Sequence, residues 1–322
     1  MNTLLTGAWG LRYPILGAPM AGVAGGALAR AISVAGGLGM IGIGSTDPLE
    51  KIARESAVAA EGGVRFGIGL MGWALERRPD ALDATIAAKP FLVSVSFGTD
   101  PAVVGRLHDA GILVCAQVNT ADDALRVERA GVDVIVAQGT EAGGHTGDVG
   151  TLPLLQIVLD RVRKPVLASG GIATGRGVAA VIAAGAEGAW IGTAFTATAE
   201  AQSSAEARAT ILAAREDQTV LTSLFDRMQG IPWPRRYPGR ALANDFTARW
   251  HERPDEAAAD PAAREDFERA RAARDFRVAY IYAGQAVGMV DRERPAGDVV
   301  REIGDETEAR LAAFARRAHA SA

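Results

Sequence analysis

Asp133-Val134-Ile135-Val136-Ala137-Gln138-Gly139-Thr140-Glu141-Ala142-Gly143-Gly144-His145-Thr146-Gly147 is a β-branched run that stops in glycines and then presents one histidine. Valine and isoleucine favour a strand, and the glycines let backbone turn and approach a ligand closely. A strand that ends in a flexible loop carrying an imidazole is how an α/β barrel builds a site at its C-terminal face. His145 lies seven residues past Gln138, where it can act on a ligand bound at that face. An imidazole titrates near neutrality, which suits proton abstraction from a weakly acidic carbon or donation to an oxygen. The alternative reading is a surface-loop histidine.

Working outward, one phrase recurs before apolar runs: Ala35-Gly36-Gly37-Leu38, Ala110-Gly111-Ile112-Leu113, Ala130-Gly131-Val132-Asp133 and Ala184-Gly185-Ala186-Glu187. A glycine there supplies the left-handed cap that ends a helix just before a strand. Together with the β-rich runs, these junctions predict strands at Pro14–Ala18, Leu38–Ile43, Val64–Gly69, Phe91–Val95, Ile112–Val118, Asp133–Gln138, Pro165–Ser169 and Gly188–Gly192. Helix-like stretches lie between them, each opened by a proline or capping residue. Strict alternation gives a parallel sheet, and eight units favour closure into a (β/α)₈ TIM barrel, with a doubly wound open sheet as runner-up.

After residue 200 the rhythm stops. Ile231-Pro232-Trp233-Pro234-Arg235-Arg236-Tyr237-Pro238-Gly239-Arg240 has prolines too close for a regular helix or central strand. Ala241–Trp250 and Pro261–Arg277 read as surface helices, and Val299–His319 as a closing amphipathic helix. The expected organisation is a barrel over 1–215, a smaller, mostly helical cap or lid over 216–285, and a C-terminal segment over 286–322 returning to the barrel. The arginines Arg235, Arg236 and Arg240 either clamp an anionic substrate or decorate the lid, the second being slightly favoured.

Composition narrows the function. With 48% hydrophobic and 22% charged residues, the 322-residue chain can bury a sizeable core. Its 34 basic against 38 acidic residues leave a net charge of −4, so no global field holds nucleic acid or an anionic membrane. The lone Cys115 permits no disulfide framework and fits a reducing cytoplasm. The start lacks a signal-peptide pattern, and the apolar tract from Pro14 to Gly44 is too broken by glycine, proline and Arg30 to span a bilayer. His108, His145, His251 and His319 are not spaced as helix-borne metal ligands, and no metal is expected.

Two later glycine turns complete the pattern. Ser169-Gly170-Gly171 leads from a strand into the helix start at Thr174-Gly175-Arg176, and Gly192-Thr193 ends the next strand similarly. Backbone N–H groups there, at the last two strands of a barrel, form an anion site that needs no lysine. Ordinary turn glycines are the alternative. Gly37-Leu38-Gly39-Met40-Ile41-Gly42 and Gly67-Ile68-Gly69-Leu70-Met71-Gly72 fit a dinucleotide fingerprint in spacing only, since no acidic residue ends the following strands. Gly170–Gly175 has Walker spacing, but Arg176-Gly177 replaces the Lys-Ser/Thr pair, so a P-loop is rejected.

The Glu141-Ala142-Gly143-Gly144-His145 motif with these glycine pairs resembles the nitronate monooxygenase (2-nitropropane dioxygenase-like) family, FMN enzymes whose relatives include flavin-dependent enoyl-acyl carrier protein reductases. The resemblance implies a catalytic His145. It also implies FMN contacts from Ala18, Pro19, Met20 and Ala21, from Ala142, Gly143 and Gly144, and from Ser169, Gly170, Gly171, Gly192 and Thr193. Gln117 and Gln138 match the mixed donor and acceptor edge of the flavin or its ribityl chain, and Gln285 belongs to a returning turn, Tyr282-Ala283-Gly284-Gln285. Some relatives carry lysine at Gln117, and several carry asparagine where this chain has Gly69. The implied activity is FMN-dependent oxidation of nitroalkanes or nitronates by oxygen to carbonyl compounds and nitrite. The rivals are an NAD(P)H-dependent FMN reductase acting on an enoyl thioester or quinone, and an idle flavin- or phosphate-ligand-binding barrel. The expected partner is a small-molecule substrate, with a homodimer left open and neither nucleic acid nor membrane involved.

Overall fold

A computed structural model describes residues 2–320, with side chains through 317, so the His319 side chain lies outside the described residues. The strands are β1 (Ile15–Gly17), β2 (Met40–Gly42), β3 (Gly67–Met71), β4 (Leu92–Ser96), β5 (Leu113–Val118), β6 (Val134–Gln138), β7 (Gly144–His145), β8 (Val166–Ser169), β9 (Ala189–Ile191), β10 (Thr219–Thr222) and β11 (Gly239–Leu242). Eight of them form one parallel sheet in the order β1-β9-β8-β6-β5-β4-β3-β2. Leu38, just before β2, closes it on β1: Leu38 N–H donates to the Ile15 carbonyl and Gly17 N–H to the Leu38 carbonyl. The fold is the expected barrel. Among the described residues no helix is long and apolar enough to cross a membrane.

Period-2 alternation sorts every barrel strand into two sets. Ile15, Ile41, Ile68, Val93, Val114, Ile135, Val166 and Ala189 face the helices and join the large outer core. Leu16, Met40, Leu92, Cys115, Val136, Leu167 and Trp190 fill the interior, and the N-terminal Leu5, Trp9 and Leu11 pack with them at its N-terminal end. Burial pushes the Cys115 thiol well above its usual range, which makes it inert core rather than a nucleophile. Continued one step further, the same parity turns Ala18, Gly69, Ser96, Gln117, Gln138, Ser169 and Gly192 inward. The top layer of the barrel is therefore small or polar, and it is the floor of the mouth.

The region expected as a mostly helical cap also contains strands. Helices Leu224–Gln229, Asp245–Trp250, Pro254–Ala259 and Pro261–Ala273 surround the buried Phe225, Phe246, Trp250 and Phe267. A second, antiparallel sheet, ordered β10-β11-β7, joins this region to the barrel loop. Its central strand begins at Gly239-Arg240, directly after the last proline of the proline-rich stretch, and it replaces the start of the helix expected over Ala241–Trp250. The closing helix spans Ala296–Ala320; Gly175 meets its Ile303 backbone so closely that a Cβ would sit 2.6 Å from the carbonyl oxygen.

Candidate active site

The loop after β6 is tied down from three sides. Its two residues Gly144 and His145 form β7 and pair with Arg240 and Gly239 of β11. The Arg240 guanidinium, buried so that desolvation pulls its pKa below the usual value, donates to the Thr140 carbonyl (2.6 Å), the Thr140 hydroxyl (3.2 Å) and the Thr219 hydroxyl (3.2 Å). Arg240 is therefore a strut under the loop. Arg236 lies over the Tyr237 ring and pairs with Asp123 at 3.2 Å, so these two arginines are committed to the protein. The Glu141 carboxylate accepts from the Thr151 N–H (2.8 Å) and hydroxyl (2.6 Å), capping helix Thr151–Arg161.

His145 is set in an enclosure the sequence did not reveal. Its Nε2 lies 2.9 Å from Asp226 Oδ1, and both side chains are nearly buried, 9% and 6% exposed. Trp233 stacks on the imidazole, with ring centroids 3.5 Å apart and planes 10° from parallel. Tyr282, bridged to Ala241 of β11, donates its hydroxyl to Asp226 Oδ1 at 3.2 Å. Burial and the neighbouring Asp226 push the Tyr282 phenol well above its ordinary pKa, so it remains a donor across the neutral range. Phe97 packs edge-on against Trp233 and Tyr237, each at 4.9 Å, and the Trp73 indole N–H beyond them is buried with no partner among the described residues. Trp233 and Tyr282 stand in the proline-rich stretch and the returning turn, where their aromatic character alone does not distinguish a site residue from core. Asp226, 81 residues from His145, carried no local signal.

The predicted residues gather at this end of the barrel. Gln117 Nε2 donates to Gln138 Oε1 and, at 3.3 Å, to the His145 carbonyl. Asn119, not singled out in the sequence, donates to the Gln138 carbonyl (2.8 Å), to Gln138 Oε1 (3.1 Å) and to the Thr146 hydroxyl (3.2 Å). The glutamines thus form a network joining the floor to the histidine loop. The Thr193 hydroxyl oxygen accepts from the Gly284 N–H at 3.0 Å, and the Gln285 N–H donates to the Glu141 carbonyl at 2.9 Å, which docks the returning turn on the motif while the Gln285 side chain stays exposed. Met20 lies against Gly192, where a Cβ would meet Met20 Sδ at 3.3 Å.

Two glycines have physical reasons. Gly171 adopts φ 70° after β8, and its N–H and that of Gly192 on the adjacent strand end find no acceptor among the described residues. Those donors follow the ends of adjacent strands and precede helix Gly175–Ala183, an arrangement that suits a phosphate. At Gly69 a Cβ would fall 2.4 Å from two Pro19 ring carbons. Pro19 occupies the space where an asparagine side chain would start, so its ring packs directly on β3 at Gly69.

Comparison with known proteins follows the same lines. The family model described as nitronate monooxygenase matches residues 77–306. A nitronate monooxygenase of Paraburkholderia phytofirmans is 32% identical over 91% of this chain and 92% of its own length. Among solved structures, FabK from Thermotoga maritima superposes with a TM-score of 0.84 at 29% identity, covering 98% of this chain and 99% of that one. A nitroalkane oxidase from Streptomyces ansochromogenes gives 0.79 at 31% identity, over 94% and 98%.

Proposed function

Because this chain belongs to the nitronate monooxygenase family of oxidoreductases, we propose that it oxidises nitroalkanes or their nitronates at the barrel mouth with FMN as cofactor and oxygen as final oxidant, releasing a carbonyl compound and nitrite. The observation that carries this reading is the position of His145: it is fixed by the β7–β11 pairing at the same barrel end as the free N–H groups of Gly171 and Gly192.

The residues present fit FMN. Unpartnered donors and the left-handed Gly171 form a cradle for its phosphate, and the loop Ala18-Pro19-Met20-Ala21 runs beside it, with Ala18 and Met20 against Gly192 and Pro19 against Gly69. Ser169 and Gly170 shape the turn, and the Gln117–Gln138 pair offers polar edges to the flavin or ribityl chain. When bound, FMN supplies the electron acceptor and the reaction with oxygen that protein side chains lack.

The chain supplies the rest. His145 takes the proton from the carbon bearing the nitro group, and the Ala142-Gly143-Gly144 backbone brings it close to the bound substrate. Trp233 covers the imidazole, Phe97 meets its edge with Tyr237 packed behind, and the three rings exclude water from the transfer. We read residues 216–285 as a lid that selects the substrate, attached to the barrel through β11.

The test is His145→Ala. Positioned acid–base catalysis is worth about 10²- to 10⁴-fold, so this variant should stay yellow yet turn over neutral nitroethane slower by that order, and ethyl nitronate should restore much of the rate. A colourless variant would show that His145 serves cofactor binding instead.

A further inference from the structure

His145 is one half of a buried ion-pair-forming couple whose other half comes from a distant element. Asp226 sits on helix Leu224–Gln229, and its Oδ1 receives both the His145 Nε2 contact (2.9 Å) and the Tyr282 hydroxyl (3.2 Å). No described residue engages His145 Nδ1. We propose, resting on the nitroalkane reading above, that Asp226 is a positioning residue: it accepts the Nε2–H of His145, leaves the imidazole lone pair on Nδ1, and holds the imidazolium formed by proton transfer.

A carboxylate only accepts, so the nitrogen facing it carries the proton and the other nitrogen is the base. Tyr282 is a donor to the same oxygen and cannot relieve Asp226 of that role. Trp233 stacked at 3.5 Å, with Tyr282 at 5.4 Å, restricts rotation of the ring that would exchange the two nitrogens. The same division of labour holds the histidine of a serine-protease triad in its working tautomer.

The step is a proton transfer. Nδ1 takes the proton from the carbon beside the nitro group, the C–H electron pair becomes the C=N bond of the nitronate, and the nitro oxygens take up the negative charge. Nothing is oxidised or reduced in it. The charge appearing on His145 is met by Asp226 in a nearly dry enclosure, where a charge pair counts for more than in water. The substrate class served by this couple is therefore the neutral nitroalkane; a preformed nitronate has no need of it.

Two measurements test the inference. In ¹⁵N-histidine spectra of the full chain, His145 of the wild type should show a pyridine-type Nδ1 and a protonated Nε2; a protonated Nδ1 in the neutral ring overturns the proposal whether or not any variant folds. Asp226→Asn keeps the size but removes the charge and offers a donor, so nitroethane turnover should fall about 10²- to 10⁴-fold while ethyl nitronate turnover stays within a few-fold. Equal loss on both substrates, or unchanged nitroethane turnover, contradicts the positioning role. Wild-type protein that oxidises no nitronate would instead remove the reading beneath it, and the two failures are thereby separate.

Discussion

Gly171→Asp probes the phosphate cradle with a magnitude that can be worked in advance. A Cβ at 171 would lie 3.4 Å from Glu141 Cβ and 3.7 Å from its Cγ, so the side chain has room. The backbone at φ 70° costs a non-glycine residue about 1–2 kcal/mol, and aspartate is among the residues that tolerate this region. The fold should therefore survive. A carboxylate about 5 Å from a phosphate, at an effective dielectric of about 20, repels each unit of its charge by about 3 kcal/mol, which is about two decades in Kd per charge. Gly171→Ala carries at least as much backbone strain without the charge and should bind FMN within about tenfold of wild type on that scale. The assay is FMN per chain after purification with excess cofactor, a Kd by flavin fluorescence quenching, and circular dichroism to confirm folding. A folded Gly171→Asp protein with a full FMN complement would refute the assigned phosphate position.

Arg240→Met removes three hydrogen bonds from a charged donor and strands the Thr140 carbonyl; urea unfolding should show a loss of about 2–4 kcal/mol, and an unchanged midpoint would deny the strut. Trp233→Ala uncovers His145 and should raise KM for nitroethane several-fold with FMN content unchanged, whereas parallel loss of flavin would count against a substrate-selecting lid. The Tyr282 phenol is held protonated in the folded state, so its contribution is complete below the unfolded pKa, about 10, and is lost as pH rises toward the higher folded value. Tyr282→Phe should therefore unfold less steeply with pH above about 10, and identical alkaline profiles would contradict this. Gly69→Asn forces Pro19 to move and should lower flavin occupancy; wild-type occupancy would mean that the Pro19 loop does not depend on the close approach.

The barrel was legible because its signals are local. Apolar parity and the repeated Ala-Gly junctions mark each strand within a few residues, and all eight predicted strands overlap observed ones. Ends were less clear: Val64–Gly69 became Gly67–Met71, since glycines at 67 and 69 hide the alternation that continues to Met71. Parity also places Ser96 beside Gln117 in the mouth, where its hydroxyl accepts from the Gln117 N–H at 3.0 Å, though no motif pointed to it. What stayed hidden is non-local. β11 is too short to alternate visibly and exists because β7 and β10 flank it, and the Arg240 role depends on Thr140, 100 residues earlier. Asp226 and Trp233 acquire meaning only through the folded position of His145.

What passes electrons into the bound flavin at this mouth decides between oxidase and reductase chemistry. FMN-loaded wild-type protein should be mixed without oxygen, first with ethyl nitronate and separately with NADH or NADPH, while the flavin absorbance is followed. The nitronate should bleach the flavin, with nitrite released when air is admitted. Rapid bleaching by a nicotinamide, with the flavin left oxidised by every nitronate tried, would contradict this and assign the barrel to reductase chemistry.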